Sequence, residues 1–273
     1  HMPERYARSN KGSYGHVLVV AGSKEMSGAC YLAAKAAYRS GAGLVRVVTP
    51  EENRQILLSA LPEILFSDRD SLLDGIRWAD AIVIGPGIGR EEEAAEMVRT
   101  VVQKADVPVV IDGDAIYHVS RCADRLNGQF VLTPHVKEMT YLAGGSVEQL
   151  LGAMYEKTLE TSKKWNCIVA HKDARTIVSD GNKVYINTSG NNGMATGGSG
   201  DVLAGLTGGL LAQHMEPMQA ACLGVYVHGL AGDCMAQKKS VYSLMASDLL
   251  DGIAEVLSGI RTDNEEAEND RDR

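Results

Sequence analysis

Apolar residues along the chain gather in short unbroken runs separated by glycine-rich, polar breaks. Residues 16–21 (HVLVVA) form the first run and Gly22-Ser23 closes it, the pattern of a buried strand ending in a loop. Residues 28–40 then place small and apolar side chains at helical spacing, with Gly41 as a stop. A second strand is predicted at 44–48 (LVRVV). The alternation recurs as strand 81–84, loop 85–90, helix 91–104 and strand 108–112. Strand 129–132, helices near 137–143 and 147–165, and strand 167–170 continue it. Residues 176–179 and 184–187 flank Asp180-Gly181-Asn182-Lys183 and predict a hairpin near a sheet edge. The remainder reads as helices at about 201–213, 217–237 and 245–258.

Strands that alternate with helices imply an α/β fold, a mostly parallel sheet flanked by helices on both faces. No internal repeat or linker interrupts 3–258, which reads as a single domain. His1-Met2 reads as an expression scar. Residues 259–273 read as a disordered charged tail, since 261–273 hold one apolar side chain. Ligand sites of open α/β sheets lie beyond the carboxyl ends of the strands. Those ends here carry Gly22-Ser23, Gly85-Pro86-Gly87-Ile88-Gly89, Asp112-Gly113-Asp114, Thr133-Pro134-His135 and His171-Lys172-Asp173.

The formal net charge of −8 argues against a nucleic-acid duplex or a membrane surface as the main partner, because both need a basic face. A small anionic ligand needs only a local positive field. The five cysteines include no C-x-x-C pair, which fits a reducing, cytoplasmic setting without disulfides or a zinc site. No signal peptide is read at the start, and no uncharged apolar run approaches the roughly 18 residues of a membrane helix.

The segment Asn187 to Gly205 carries the strongest chemical signal. Gly197-Gly198-Ser199-Gly200 precedes Asp201 and an apolar helix. Small residues let backbone N–H groups approach an anion, and a helix N-terminus adds a favourable dipole. Asp201 reads either as a base beside that anion hole or as a helix cap. The segment is neither a Walker A loop nor a dinucleotide fingerprint, for it has no G-K-[ST] and no third spaced glycine.

The GG-x-GD run opening a late helix resembles the anion hole and catalytic Asp of the ribokinase-like superfamily. The longer pattern of Asn187, Gly190-Asn191, Gly193-Met194-Ala195, Gly197-Gly198, Gly200-Asp201-Val202-Leu203 and Gly205 resembles one branch of it, the ADP- or ATP-dependent NAD(P)H-hydrate dehydratases. Lys11–Gly15, 17–23, Ser27-Gly28-Ala29, 40–45, 85–89 and 132–135 with Glu138 resemble that family's segments in order, so the similarity covers roughly 3–258. Two segments depart from it. The usual L-T-P-H-P-G-E is Leu132-Thr133-Pro134-His135-Val136-Lys137-Glu138, and the usual L-K-G-x-x-T is Ala170-His171-Lys172-Asp173-Ala174-Arg175-Thr176. A carboxylate at Asp173 would repel nucleotide phosphates unless Lys172 or a metal compensates.

The resemblance implies a ribokinase-like fold and a repair reaction. Hydrated NADH or NADPH (NADHX, NADPHX) would be dehydrated after ADP or ATP, with Mg²⁺, phosphorylates the ring hydroxyl. It implies Asp201 as general base, with Gly198 and Gly200 in the anion hole. Ala29, Gly87, Gly89, His135, Asn187 and Asp201 would line the substrate. Lys172, Asp173, Ala174, Arg175, Thr176, Gly197 and Gly200 would meet the nucleotide. Metal ligands are left unknown, with Asp112, Asp114 or Glu138 as candidates, although Glu138 reads more plainly as an exposed helix residue and the two aspartates equally as caps. The resemblance also implies a homo-tetramer or larger assembly. Two other readings stay open. One is a ribokinase-like kinase of a small hydroxymethyl compound or sugar. The other is an inactive nucleotide-binding sensor, motivated by Asp173 and by Val136-Lys137.

Overall fold

The apolar runs pair as the strands of one sheet in a computed structural model that describes residues 2–122 and 126–259. Apart from Gly259, the expected charged tail lies outside the described residues, as does His1. The strands are β1 (His16–Val20), β2 (Leu44–Val48), β3 (Leu65–Ser67), β4 (Ala81–Ile84), β5 (Val109–Ile111), β6 (Phe130–Leu132), β7 (Ile168–His171), β8 (Ile177–Ser179) and β9 (Val184–Ile186). Their order is β3-β2-β1-β4-β5-β6-β7-β8-β9. The pairs from β3 through β7 are parallel. The expected hairpin closes one edge, with β8 antiparallel to both β7 and β9.

Among the described residues, eleven α-helices connect and cover the strands: α1 (Ser27–Arg39), α2 (Arg54–Ala60), α3 (Leu72–Trp78), α4 (Glu92–Lys104), α5 (Asp114–Cys122), α6 (Val136–Ala143), α7 (Val147–Gly152), α8 (Met154–Trp165), α9 (Ser199–Ala212), α10 (Pro217–Lys239) and α11 (Ala246–Ser258). The helix expected over 147–165 breaks at Ala153, whose φ of −143° is not helical. The helix expected from 201 starts two residues earlier, at Ser199.

Successive strand residues point to opposite faces, and both faces are covered, so β4, β5 and β6 are apolar throughout and β1 is apolar after His16. Val17, Val19, Val45, Val47 and Val83 pack toward α1, α9 and α10. Leu18, Val20, Ile82, Ile84 and Ile111 pack toward α3 to α6 on the other face. A third apolar cluster joins α9 to α10 and α11.

Helix α9 is buried from Val202 to Ala212, so it has no polar stripe to orient it. Glycine fixes its depth instead. A Cβ on Gly205 would collide with the carbonyl oxygen of Ala33, and one on Gly208 would collide with Val83. The facing side of α1 supplies Ala33 and Ala37, both fully buried. The N-terminus of α9 is thereby set at the carboxyl edge of the parallel strands.

Gly205→Ala should therefore lower the urea midpoint, by roughly 1–3 kcal/mol of overpacking or more. Gly128→Ala, on an exposed loop with nothing within 4 Å of the added Cβ, should stay within about 0.5 kcal/mol of the parent. Equal midpoints for the two variants would contradict the close α1–α9 packing.

Candidate active site

Loops leaving β5, β6, β7 and β9 meet the N-terminus of α9 around a cavity of about 1110 Å³. That exceeds the roughly 300–1,000 Å³ of a site for one small ligand. Gly198 is the N-cap of α9, with φ 90°, and no side chain caps the helix. Ser199 N donates to Thr196 O at 3.3 Å, and the N–H groups of Gly200 and Asp201 are the orphan donors of this helix start. Asp201 is the third residue of the helix and lies on the cavity wall, so it is not the N-cap. Burial, then the nearby Asp112 carboxylate, pushes the Asp201 carboxyl up to about 7, with Lys172 opposing. A carboxyl held there is suited to exchanging a proton near neutral pH.

The base of the cavity is an ion pair. Lys172 Nζ lies 2.8 Å from Asp112 Oδ1, and Thr133 Oγ1 donates to the same oxygen at 2.6 Å. Asp112 is 2% exposed. Burial alone would lower the Lys172 pKa, but Asp112 and Glu138 outweigh it and hold the ammonium charged. The backbone is pinned as well: Lys172 N donates to Pro134 O at 2.8 Å, within a parallel bridge between His135 and Lys172. Lys172 is therefore not a solvated loop lysine. Because its charge is committed to Asp112, it does not offset Asp173, which stands exposed on the cavity wall.

His135 is the N-cap of α6. Its Nδ1 accepts from Lys137 N at 3.0 Å and Glu138 N at 3.2 Å, while Glu138 Oε2 accepts from His135 N at 2.9 Å. Occupation of Nδ1 as an acceptor leaves Nε2 as the N–H donor. Burial, then Lys172, lowers the His135 pKa, so the ring is neutral at pH 7. The expectation of an exposed Glu138 is corrected: its side chain is 13% exposed, because the His135–Lys172 bridge seats the start of α6 against the exit of β7. Burial pushes its carboxyl up.

The structure brings Gly198, Gly200, Asp201, His135, Asn187, Lys172, Asp173, Ala174, Arg175 and Thr176 onto this one cavity. Asn187 shapes the loop with its own side chain: Oδ1 accepts from Tyr185 OH and Ser189 Oγ, and Nδ2 donates to Ser189 O. Arg175 reaches Thr188 O at 3.2 Å. Ala29, Gly87, Gly89 and Gly197 do not line the cavity. Ala29 is 6% exposed, and a Cβ on Gly87 would lie 3.0 Å from both the Ala29 and Met26 Cβ atoms. Gly89 N donates to Asp114 Oδ2 at 3.1 Å, so Asp114 braces the 85–89 loop. Gly197 sits exposed with open space around it.

Two contributors were missed from the sequence. Asp233 on α10 holds the loop over the cavity, accepting from Gly190 N at 2.8 Å and Asn191 Nδ2 at 2.9 Å. His228, one turn and a half earlier on the same helix, lines the cavity with Nε2 3.4 Å from Ser199 Oγ. Burial pulls its pKa down to about 4, so it is neutral. Neither carries a local signal beyond its place in a helix. Among the described residues, no three His, Cys, Asp or Glu side chains are grouped to hold a metal ion.

Comparison with known proteins places these features in a family. Residues 17–255 match the family model described as NAD(P)H-hydrate dehydratase. The chain is 38% identical to the bifunctional NAD(P)H-hydrate repair enzyme Nnr of Moorella thermoacetica over 97% of its length, covering 53% of that protein. The chain thus spans about half the length of the first curated relatives it matches. It is 35% identical to the ADP-dependent (S)-NAD(P)H-hydrate dehydratase of Listeria monocytogenes, over 88% of this chain and 87% of that one. The ADP/ATP-dependent NAD(P)H-hydrate dehydratase of Bacillus subtilis, co-crystallised with ATP/Mg²⁺, superposes with a TM-score of 0.87 at 32% identity, covering 94% of each chain. A ribokinase-like superfamily protein of Enterococcus faecalis gives the same TM-score at 29% identity, over 94% of this chain and 91% of that one. The chain belongs to the NAD(P)H-hydrate dehydratase family, and its fold is ribokinase-like.

The raised Asp201 pKa has a consequence for stability. The folded state holds this proton up to about pH 7, whereas an unfolded Asp releases it near its ordinary value of 3.8. Stability from this group is full below about pH 4 and is lost as pH rises to about 7. Asp201→Asn should thus raise Tm at pH 8, by about 3 °C or more, with the gain fading toward pH 4. A variant no more stable than the parent at pH 8 would show that Asp201 is not desolvated.

Proposed function

We propose that the chain, as a member of the NAD(P)H-hydrate dehydratase family, dehydrates NADHX or NADPHX back to the reduced nicotinamide, using ADP or ATP as phosphoryl donor. The observation that carries this reading is a buried helix whose first turn, open at Gly198 and Gly200, stands beside the Asp201 carboxyl, poised near neutrality. Asp201 takes the proton of the ring hydroxyl. The hydroxyl oxygen then bonds to the terminal phosphorus of the nucleotide, whose bridging P–O bond breaks. The α9 amides hold the phosphoryl oxygens as charge spreads over them. Phosphate, unlike hydroxide, is a good leaving group. The ring nitrogen lone pair expels it, and loss of a proton from the adjacent ring carbon restores the dihydropyridine.

His135 Nε2–H is a donor on the same wall and would orient the substrate carboxamide or ribose. Ala29, Gly87 and Gly89 stand outside the cavity lining, and Met26 packs on Gly87, so contact of Gly87 with substrate would require Met26 to withdraw. The loop 172–176 would take the nucleotide. Mg²⁺ is usually held by one or two carboxylates together with substrate phosphates. The donor set fits it in that manner: Asp112 is committed to Lys172, Asp114 to Gly89 and Arg90, and Glu138 Oε2 to the His135 amide, which leaves Glu138 Oε1 on the cavity wall as the carboxylate oxygen to hold the ion with the phosphates. When bound, the ion would neutralise phosphate charge.

No helix among the described residues is long and apolar enough to cross a membrane, and all five cysteines are free. We place the reaction in the cytoplasm, carried out by residues 3–258 as one domain within a homo-tetramer or larger assembly.

Absorbance at the reduced-nicotinamide band tests the reading directly. Protein mixed with NADHX, Mg²⁺ and either ADP or ATP should recover the NADH signal, and the effective nucleotide names the donor. Asp201→Asn should lower kcat by at least roughly 10²-fold. Because the base must be ionised, kcat/KM of the parent should rise with pH through about 7. A folded protein that recovers no signal with either nucleotide, or that accumulates a stable phosphorylated product, would overturn the dehydratase reading.

A further inference from the structure

We infer that Asp112 is a positioning residue: it parks the Lys172 ammonium over the mouth of α9, where Lys172 meets the terminal phosphoryl group of the nucleotide rather than its adenosine end. The inference rests on the nucleotide reading of the cavity. Three observations carry it. A Cβ on residue 200 would lie 2.9 Å from Lys172 Nζ and 3.7 Å from Asp112 Oδ2, so the ion pair sits directly against the first turn of α9. Asp112 is 2% exposed and is locked by Thr133 Oγ1 at 2.6 Å, so it cannot follow the lysine elsewhere. The Lys172 backbone is fixed by its bond to Pro134 O, which leaves the side chain as the movable part.

A cation at the N-terminus of a helix faces the positive end of the dipole, an unfavourable placement without an anion beside it. Asp112 is that anion when no ligand is bound. A phosphoryl group entering the hole brings its own negative charge to the same place. The ammonium then needs only to turn from the carboxylate to the phosphoryl oxygens, a short rotation of the side-chain end. Asp112, Glu138 and Asp201 all face Lys172, so without the lock at Asp112 the ammonium would be drawn to either of the others. Lys172 so placed belongs to the hole that holds the reacting group, although its chain neighbours 173–176 form a separate cavity wall.

Removing Lys172 alone would strand the buried Asp112 charge and risk unfolding. The Asp112→Asn/Lys172→Met double variant removes both charges and avoids this. Titration calorimetry with AMP, ADP and ATP, without any hydrate, reads the result. ADP should bind the double variant about tenfold or more weakly than it binds the parent, while AMP affinity stays within about twofold. Asp112→Asn alone frees the ammonium and removes a repelling carboxylate, so ADP affinity and the nucleotide KM should hold or improve. In that variant kcat should fall at least about tenfold, a split that general damage to the fold does not produce. Parallel weakening of AMP and ADP in the double variant, or unchanged ADP affinity, would overturn the inference and leave the nucleotide reading standing. So would an Asp112→Asn variant with parental kcat, or one whose KM and kcat worsen together. Parent protein that binds none of the three nucleotides would overturn the nucleotide reading and this inference with it.

Discussion

The close seating of α9 on α1 and on the sheet is the constraint from which the rest follows. An apolar helix with no polar stripe can rotate or slide at little hydrophobic cost. What prevents it here is steric: Gly205, Gly208 and Gly209 on α9 meet Ala33, Val83, Ala37 and Ser40 at distances that admit no Cβ. Hydrophobic burial drives the helix inward, and these contacts decide where it stops. Its N-terminal amides consequently emerge at the carboxyl edge of β4 and β5, where Gly85 and Asp112 also come into contact.

Around that fixed point the protein has gathered more negative charge than positive. Asp112, Glu138 and Asp201 share one nearby cation, Lys172. The cation can fully satisfy one of them, and it satisfies Asp112, the most buried. Burial then drives the carboxyls of Glu138 and Asp201 upward. The basicity of Asp201 is in this sense a remainder, left by how a single ammonium is distributed. The same scarcity explains why the carboxylate at Asp173 is placed on the exposed rim and not in the base of the cavity.

Much of the fold was legible because its determinants are local. Runs such as VLVV at 17–20 and AIVI at 81–84 are buried on both faces and carry no polar position to confuse their reading. The Asp180 side chain that accepts from Asn182 N and Lys183 N announces the hairpin turn. The stretch 49–80 was not legible. Its strand β3 has three residues, and Leu65 is 39% exposed, so no alternation or run marks it. Its helices, α2 and α3, span seven residues each, too short for periodicity to appear. At the site, the glycine-rich entry to α9 was visible because a helix start of small residues is made of consecutive backbone. The Lys172–Asp112 pair was not, since it joins residues sixty positions apart. Asp233 and His228 were hidden for the same reason, each being one polar residue in a helix whose partners lie some thirty to forty residues earlier.

The immobility of α9 also bears on how such a protein can diverge. Substitutions along its glycine edge are opposed by close packing on α1 and the sheet, so the position of its N-terminus resists change. The exposed residues 173–175 after β7 carry no such burden, and loops tolerate change far better than the elements they join. Descendants of this chain are therefore free to acquire new acceptor molecules. They keep the same helix start facing the cavity.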